Sequence, residues 1–144
     1  MSREMTSYSF NNVAAYVNGV LVEGLWEGDD VVMVEPAADT AVPSVGADGK
    51  AIVSVTMNIA ANITLKLQPT SPTHQELLRL HASIRDGSFK PFTFSVMDTG
   101  SAEGGSAQQC TIMRRPNMQV GNAASVREWK LFAGAWVENN TSFL

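Results

Sequence analysis

The sequence predicts a mainly β domain, an antiparallel sandwich or barrel of seven or eight strands with one α-helix covering one opening or edge. Short apolar runs alternate with polar residues at period two along much of the chain. Pairs of Gly, Asn, Asp and Pro separate these runs at hairpin spacing. One segment, after the fifth strand, switches to helical spacing.

Val13 to Val17 and Val20 to Glu23 flank Asn18-Gly19, the dipeptide that best tolerates the two positive φ angles of a type I′ turn, so the first element is a hairpin. Gly24 and Gly28 bracket a turn, and Val31 to Val34 forms a β-branched third strand ending at Pro36. Residues 37 to 50 show turn formers without a period and read as a loop. Its length is near the ~12 to 15 residues beyond which structureless loops have a function or are disordered. Val53, Val55, Met57 and Ile59 then alternate with Ser54, Thr56 and Asn58, and Ile63, Leu65 and Leu67 with Asn62, Thr64, Lys66 and Gln68. Each of these strands is expected to turn one face to the core and a polar, mostly uncharged face outward.

Ser71-Pro72 opens the helix, with Thr73 and Glu76 at capping-box spacing, Leu77, Leu80, His81 and Ile84 on one stripe, and Gly87 as the stop. Phe92, Phe94 and Val96 begin the next strand; Thr99 to Ala107 reads as a Gly/Ser/Ala loop; Cys110 and Ile112 form one face of a strand broken by Pro116. Val126 to Trp136 is the last strand. With no internal repeat or linker, residues 1–144 are expected to form one domain, with a flexible arm at 1–9 and a loose tail at 139–144.

Charge is distributed unevenly. Between Arg3 and Lys50 lie Glu4, Glu23, Glu27, Asp29, Asp30, Glu35, Asp39 and Asp48 without a single Lys or Arg, whereas residues 61 to 144 hold eight basic and six acidic side chains. Such a polar molecule suits head-to-tail stacking on its own copies, and its acidic part repels nucleic acid. No basic leader with an apolar run and no membrane-length apolar stretch is present, so a chain made and kept in solution is expected.

Chemistry is sparse. Asp29-Asp30 is a poor acid/base dyad because neighbouring side chains diverge in a strand or turn. Gly46-Ala47-Asp48-Gly49-Lys50 lacks the glycine spacing of a phosphate loop and reads as a turn. His74 and His81 have no ligand-like partner, and Cys110 alone supports neither a disulfide nor a paired-cysteine zinc site. Neither a catalytic centre nor a metal or cofactor is expected. Arg114, Arg115 and Arg127 are the candidates for a nucleic-acid module, but at a pI near 5.0 they lack interleaved aromatics. A monomeric β-barrel binding a ligand in its interior is the other alternative, lined by Trp26, Trp129, Trp136 and the methionines.

The order of features, from the N-terminal hairpin through Glu27-Gly28-Asp29-Asp30, the loop ending in Val45-Gly46-Ala47-Asp48-Gly49, the two alternating strands and Thr70-Ser71-Pro72, resembles the tail tube proteins of contractile-tailed bacteriophages. The resemblance is strongest from Val13 to Asp98. It implies a virion structural protein, made in the host cytoplasm, whose protomers form hexameric rings stacked into the tube that conducts DNA without binding it specifically. It also implies the helix on the outside, and contacts with tail sheath, tape measure, baseplate hub and tail terminator proteins. A tube from a tailocin or another contractile injection system is the near neighbour of this reading.

On this basis Asp39, Val42, Val45, Asp48 and Lys50, in the loop from Ala37 to Lys50, are the expected ring-stacking residues. Glu27, Asp29, Asp30 and Glu35 are the candidates for an acidic lumen or rim, and Ser54, Thr56, Asn58, Thr64 and Lys66 for polar strand faces. Lys66 departs from the acidic lumen common in such tubes.

Overall fold

A computed structural model describes residues 13–138 apart from 29, 89 and 101. The expected arm at 1–9, the tail at 139–144 and the Asp29 site lie outside the described residues.

The strands are β1 (Val13–Val17), β2 (Val20–Leu21), β3 (Val32–Pro36), β4 (Ala41–Val45), β5 (Ala51–Val55) and β6 (Ala61–Leu67), followed by helix α1 (Pro72–Arg85). Then come β7 (Phe92–Asp98), β8 (Glu103–Arg114), β9 (Arg127–Ala133) and β10 (Val137–Glu138). Eight of them form one antiparallel sheet in the order β2-β1-β7-β8-β9-β6-β3, with β10 also on β8, while β4 and β5 form a separate hairpin. The mainly β class and the single helix are as the sequence predicts.

Strand β8 is the corner of the sheet. Its first half pairs with β7 and β10 and its second half with β9, with register shifts between Phe92 and Phe94 and between Ile112 and Arg114. Such irregularities bend a strand and re-aim its pairing. The two wings share one core: Ala15, Val17, Phe92 and Phe94 from one side meet Ile63, Leu65, Trp129 and Leu131 from the other. The sheet is therefore folded over its own apolar face, as in a sandwich.

Asn18 (φ 55) and Gly19 (φ 81) both occupy the left-handed region, as a type I′ turn requires. The helix start differs from the expected capping box. Ser71 is the N-cap, its Oγ accepting from the amides of Thr73 at 3.1 Å and His74 at 3.3 Å, and the same hydroxyl donates to the Glu23 carbonyl. Thr73 instead accepts the Glu23 amide at 3.0 Å, and Glu76 pairs with Arg79. Two short side chains thus tie the helix start to the strand before the Gly24 turn. Gly24 is required there, because at φ +71 a Cβ would also lie 2.7 Å from the Ser71 Cβ.

The segment expected as a loop from Thr99 to Ala107 is a strand from Glu103 onward. Its Gly104-Gly105 lacks a periodic signal because packing selects the glycines: a Cβ on Gly105 would sit 2.6 Å from the Trp136 indole, and one on Gly104 2.6 Å from the Val96 carbonyl oxygen. The expected loop at 37 to 50 is also partly strand. Gly46-Ala47-Asp48-Gly49-Lys50 turns β4 onto β5, so residues 41 to 55 are a hairpin. Nor does the strand read at 53 to 59 have a core face: Val53, Val55, Met57 and Ile59 are all exposed.

Candidate assembly surfaces

The hairpin β4–β5 is an arm growing out of the main sheet. The β3–β6 ladder pairs Pro36 with Ala61 and continues through the Ala37 amide to the Ala60 carbonyl at 2.9 Å. Pairing resumes with the Thr56 amide on the Thr40 carbonyl at 2.9 Å and runs through β4 and β5. The extra chain between, Met57 to Ile59, is folded by two local bonds: Thr56 Oγ1 accepts the Asn58 amide at 3.1 Å and Asn58 Oδ1 accepts the Ala60 amide at 3.0 Å. Thr56 and Asn58, expected on a polar strand face, therefore hold the bend at the root of the arm.

Alternation places Ala41, Pro43, Val45, Ala51, Val53 and Val55 on one face of the arm and Val42, Ser44, Ile52 and Ser54 on the other. The first face is wholly apolar, yet every residue of both strands is exposed. Val45 is 68% and Val55 69% exposed, values normal for a surface lysine and abnormal for a strand valine. A two-stranded hairpin alone is marginal in water, and among the described residues nothing gives this arm a core. At the tip, Asp48 Oδ1 accepts the Lys50 amide at 3.1 Å and the Gly46 amide donates to the Lys50 carbonyl at 2.9 Å. Asp39, Val42, Val45, Asp48 and Lys50 all lie on this arm or at its base, and all are exposed. The sequence signals the hairpin: Ala41-Val42-Pro43-Ser44-Val45 and Ala51-Ile52-Val53-Ser54-Val55 are near copies flanking a Gly-Asp turn.

The acidic group is not one cluster. Glu27 and Asp30 lie by the end of the β6–β9 ladder where Leu25 bridges Leu67, whereas Glu35 sits near the arm, opposite Asn62. Asp30 is bonded to Lys66 at 2.7 Å, which holds the Asp30 carboxyl below and the Lys66 ammonium above their ordinary ranges. Thr64 and Lys66 face away from the core on β6, with Lys130 and Glu128 beside them on β9. Lys130 Nζ reaches both Glu128 Oε1 and Thr64 Oγ1 at 3.0 Å, and Thr64 is covered as a result. Ser54 lies far from this group, on the arm.

The Leu67–Arg127 end of the ladder, opposite the arm, also carries a basic cleft of about 290 Å³ lined by Arg114, Arg115, Gln119, Glu128 and Lys130 among others. The adjoining loop, residues 115–126, is clipped from below by the buried Arg127, which donates to Ser125 Oγ at 2.6 Å, the Ser125 carbonyl at 3.3 Å and the Gln119 carbonyl at 3.1 Å. Met118 and Val120 stand exposed on that loop.

The residues that resembled chemistry are structural. His74 Nδ1 accepts from Trp129 Nε1 at 3.0 Å, and His81 meets the same ring; burial is the leading cause that lowers both imidazoles. Cys110 is buried, which pushes its thiol up to about 11. The interior is filled by Trp129, Phe92, Phe94 and aliphatic side chains, while Trp136 stacks on Gly105 and Trp26 lines a surface cleft. Neither Trp26 nor Trp136 is placed to line the internal ligand site of a barrel.

The family of bacteriophage PhiTE tail tube proteins matches residues 5–138, nearly the whole chain. This chain belongs to that family. It is a structural tail tube protein. Among solved structures, the fold is similar to a chain of an extracellular contractile injection system (PVC) sheath-tube complex, with TM-score 0.66 at 14% identity over 94% of this chain and 93% of that one. It is also similar to a chain of the PVC sheath/tube terminator, with TM-score 0.61 at 15% identity over 92% and 96%. The anti-feeding prophage tube-terminating cap matches at TM-score 0.61 and 10% identity over 98% and 96%. Identities this low speak to the fold alone. No curated protein sequence matches significantly.

Proposed function

We propose that this chain forms hexameric rings that stack into the tail tube, inside a contractile sheath and closed by a terminator, and that the tube conducts DNA during ejection. The observation that carries this reading is the β4–β5 arm: an ordered hairpin with an apolar face and no core of its own. An arm of that kind is stable where a neighbouring molecule covers it. Family membership favours another tube subunit as that neighbour.

The outer face of β6 and β9 supports passage rather than capture of DNA. Lys66 and Lys130, the basic residues there, are already neutralised by Asp30 and Glu128. A wall whose cations are paired internally offers phosphates little to hold. The sheath-tube and terminator neighbours favour the same partners for this chain.

Negative-stain microscopy of the purified chain tests the proposal. Rings or tubes with a central lumen are expected; a persistent monomer at high concentration over a range of salt contradicts it.

A further inference from the structure

We infer that the Arg114–Arg115 cleft is the acceptor for the hairpin arm of a second copy of this chain, an inference that rests on the tube reading above. Position comes first. The β6–β9 ladder pairs Ala61 through Leu67 with Ala133 through Arg127, a length of about 20 Å at ~3.4 Å per residue. The arm leaves the sheet at the Ala61 end, and the cleft runs from Lys130, at the middle of the ladder, to Glu128 and Val126 at the opposite end. A donor and an acceptor at opposite ends of one ladder make a heterologous contact that repeats head to tail.

Charge singles out this surface. The Arg114 and Arg115 side chains are exposed and make no hydrogen bond or ion pair with any described residue. Glu128, the carboxylate in the cleft, is taken by Lys130 at 3.0 Å. Beneath them the buried Arg127 donates only to neutral oxygens of Ser125 and Gln119. The lining of this cleft therefore holds guanidinium charge without an answering carboxylate. The arm carries an acidic excess: Asp39 and Asp48 are exposed against the single cation Lys50, Asp39 has no partner among described residues, and Asp48 accepts only from the Lys50 backbone amide among them. Guanidinium groups unanswered in the cleft and carboxylates unanswered on the arm are answered by stacking. The exposed Met118 and Val120 beside the cleft add apolar contact for the Val45 and Val53 face of the incoming arm.

The test is a charge swap in the full chain, read by pelleting and negative stain, with circular dichroism to confirm folding. Arg114→Glu/Arg115→Glu is expected to lower pelletable polymer at least tenfold, and Asp39→Lys/Asp48→Lys to do the same. Combining all four substitutions is expected to restore tubes. Reversal of the arginines without loss of assembly, or a combined variant that stays unassembled while folded, overturns the inference and leaves the tube reading intact. A wild-type chain that never assembles removes both.

Discussion

Strands β5 and β6 are consecutive, carry the same alternation of branched apolar and small polar residues, and end in opposite environments. Ile63, Leu65 and Leu67 are 0% exposed, whereas Val53 and Val55 are 58% and 69% exposed. The difference lies in what surrounds each strand. β6 pairs on both sides, with β3 and β9, and its apolar face meets the folded-over sheet and the helix. Among the described residues β5 pairs only with β4, and its apolar face is left exposed. Period-two alternation reports that a face wants burial; it does not say whether the chain itself or another copy buries it.

The largest expected effect separates assembly from folding. Replacing residues 41–55 by a short turn is expected to leave a folded protomer, since a shorter connection costs little closure entropy, and to abolish tubes in negative stain. If such a protomer unfolds, the arm contributes to the core and the contrast fails. Next, Leu65→Ala is expected to lower protomer stability by about 2–5 kcal/mol in urea unfolding. Val53→Ala and Val55→Ala should stay within about 0.5 kcal/mol of wild type in the same measurement. Equal losses at the two strands would show the arm to be packed within the protomer.

Smaller effects sharpen the account of the core. Gly105→Ala forces a methyl into the Trp136 ring and is expected to cost about 1–3 kcal/mol. Ser71→Ala removes the helix cap and the partner of the Glu23 carbonyl, costing about 1–2 kcal/mol. The smallest is a pH effect. His74 is held neutral by burial, so its folded pKa lies below the ordinary 6.5. The unfolded chain then binds more protons just below that value, and stability is present above it and falls as pH drops through it. His74→Gln, which keeps an acceptor for Trp129, is expected to flatten the slope of stability just below the ordinary imidazole value of 6.5. An unchanged slope would assign the acid sensitivity to other groups.

Much of the fold was legible because the residues that shape it act locally. Asn18-Gly19, the alternation at Ile63 to Leu67 and the Ser71-Pro72 start each signal their element within a few residues. What was not legible depends on distant contacts. Gly104-Gly105 looks like a loop until Trp136 is seen to lie on it, and Ser71 rather than Thr73 caps the helix because Thr73 is engaged by the Glu23 amide. Of the expected site residues, the arm group stayed together because its members are near in sequence. Glu35 separated from Glu27 and Asp30 because strand β3 carries them to opposite ends of a ladder. Thr56 and Asn58 were misread because a side chain that bonds its own backbone has the same composition as one that faces water.

The central claim is that another copy of the chain supplies the burial that β5 lacks. Backbone amide hydrogen exchange across residues 41–55, compared between assembled and dissociated protein, tests it most directly. The account predicts rapid exchange in the dissociated protomer and strong protection in the tube, with the β6 amides protected in both. Arm amides that exchange equally fast in the two states would contradict it.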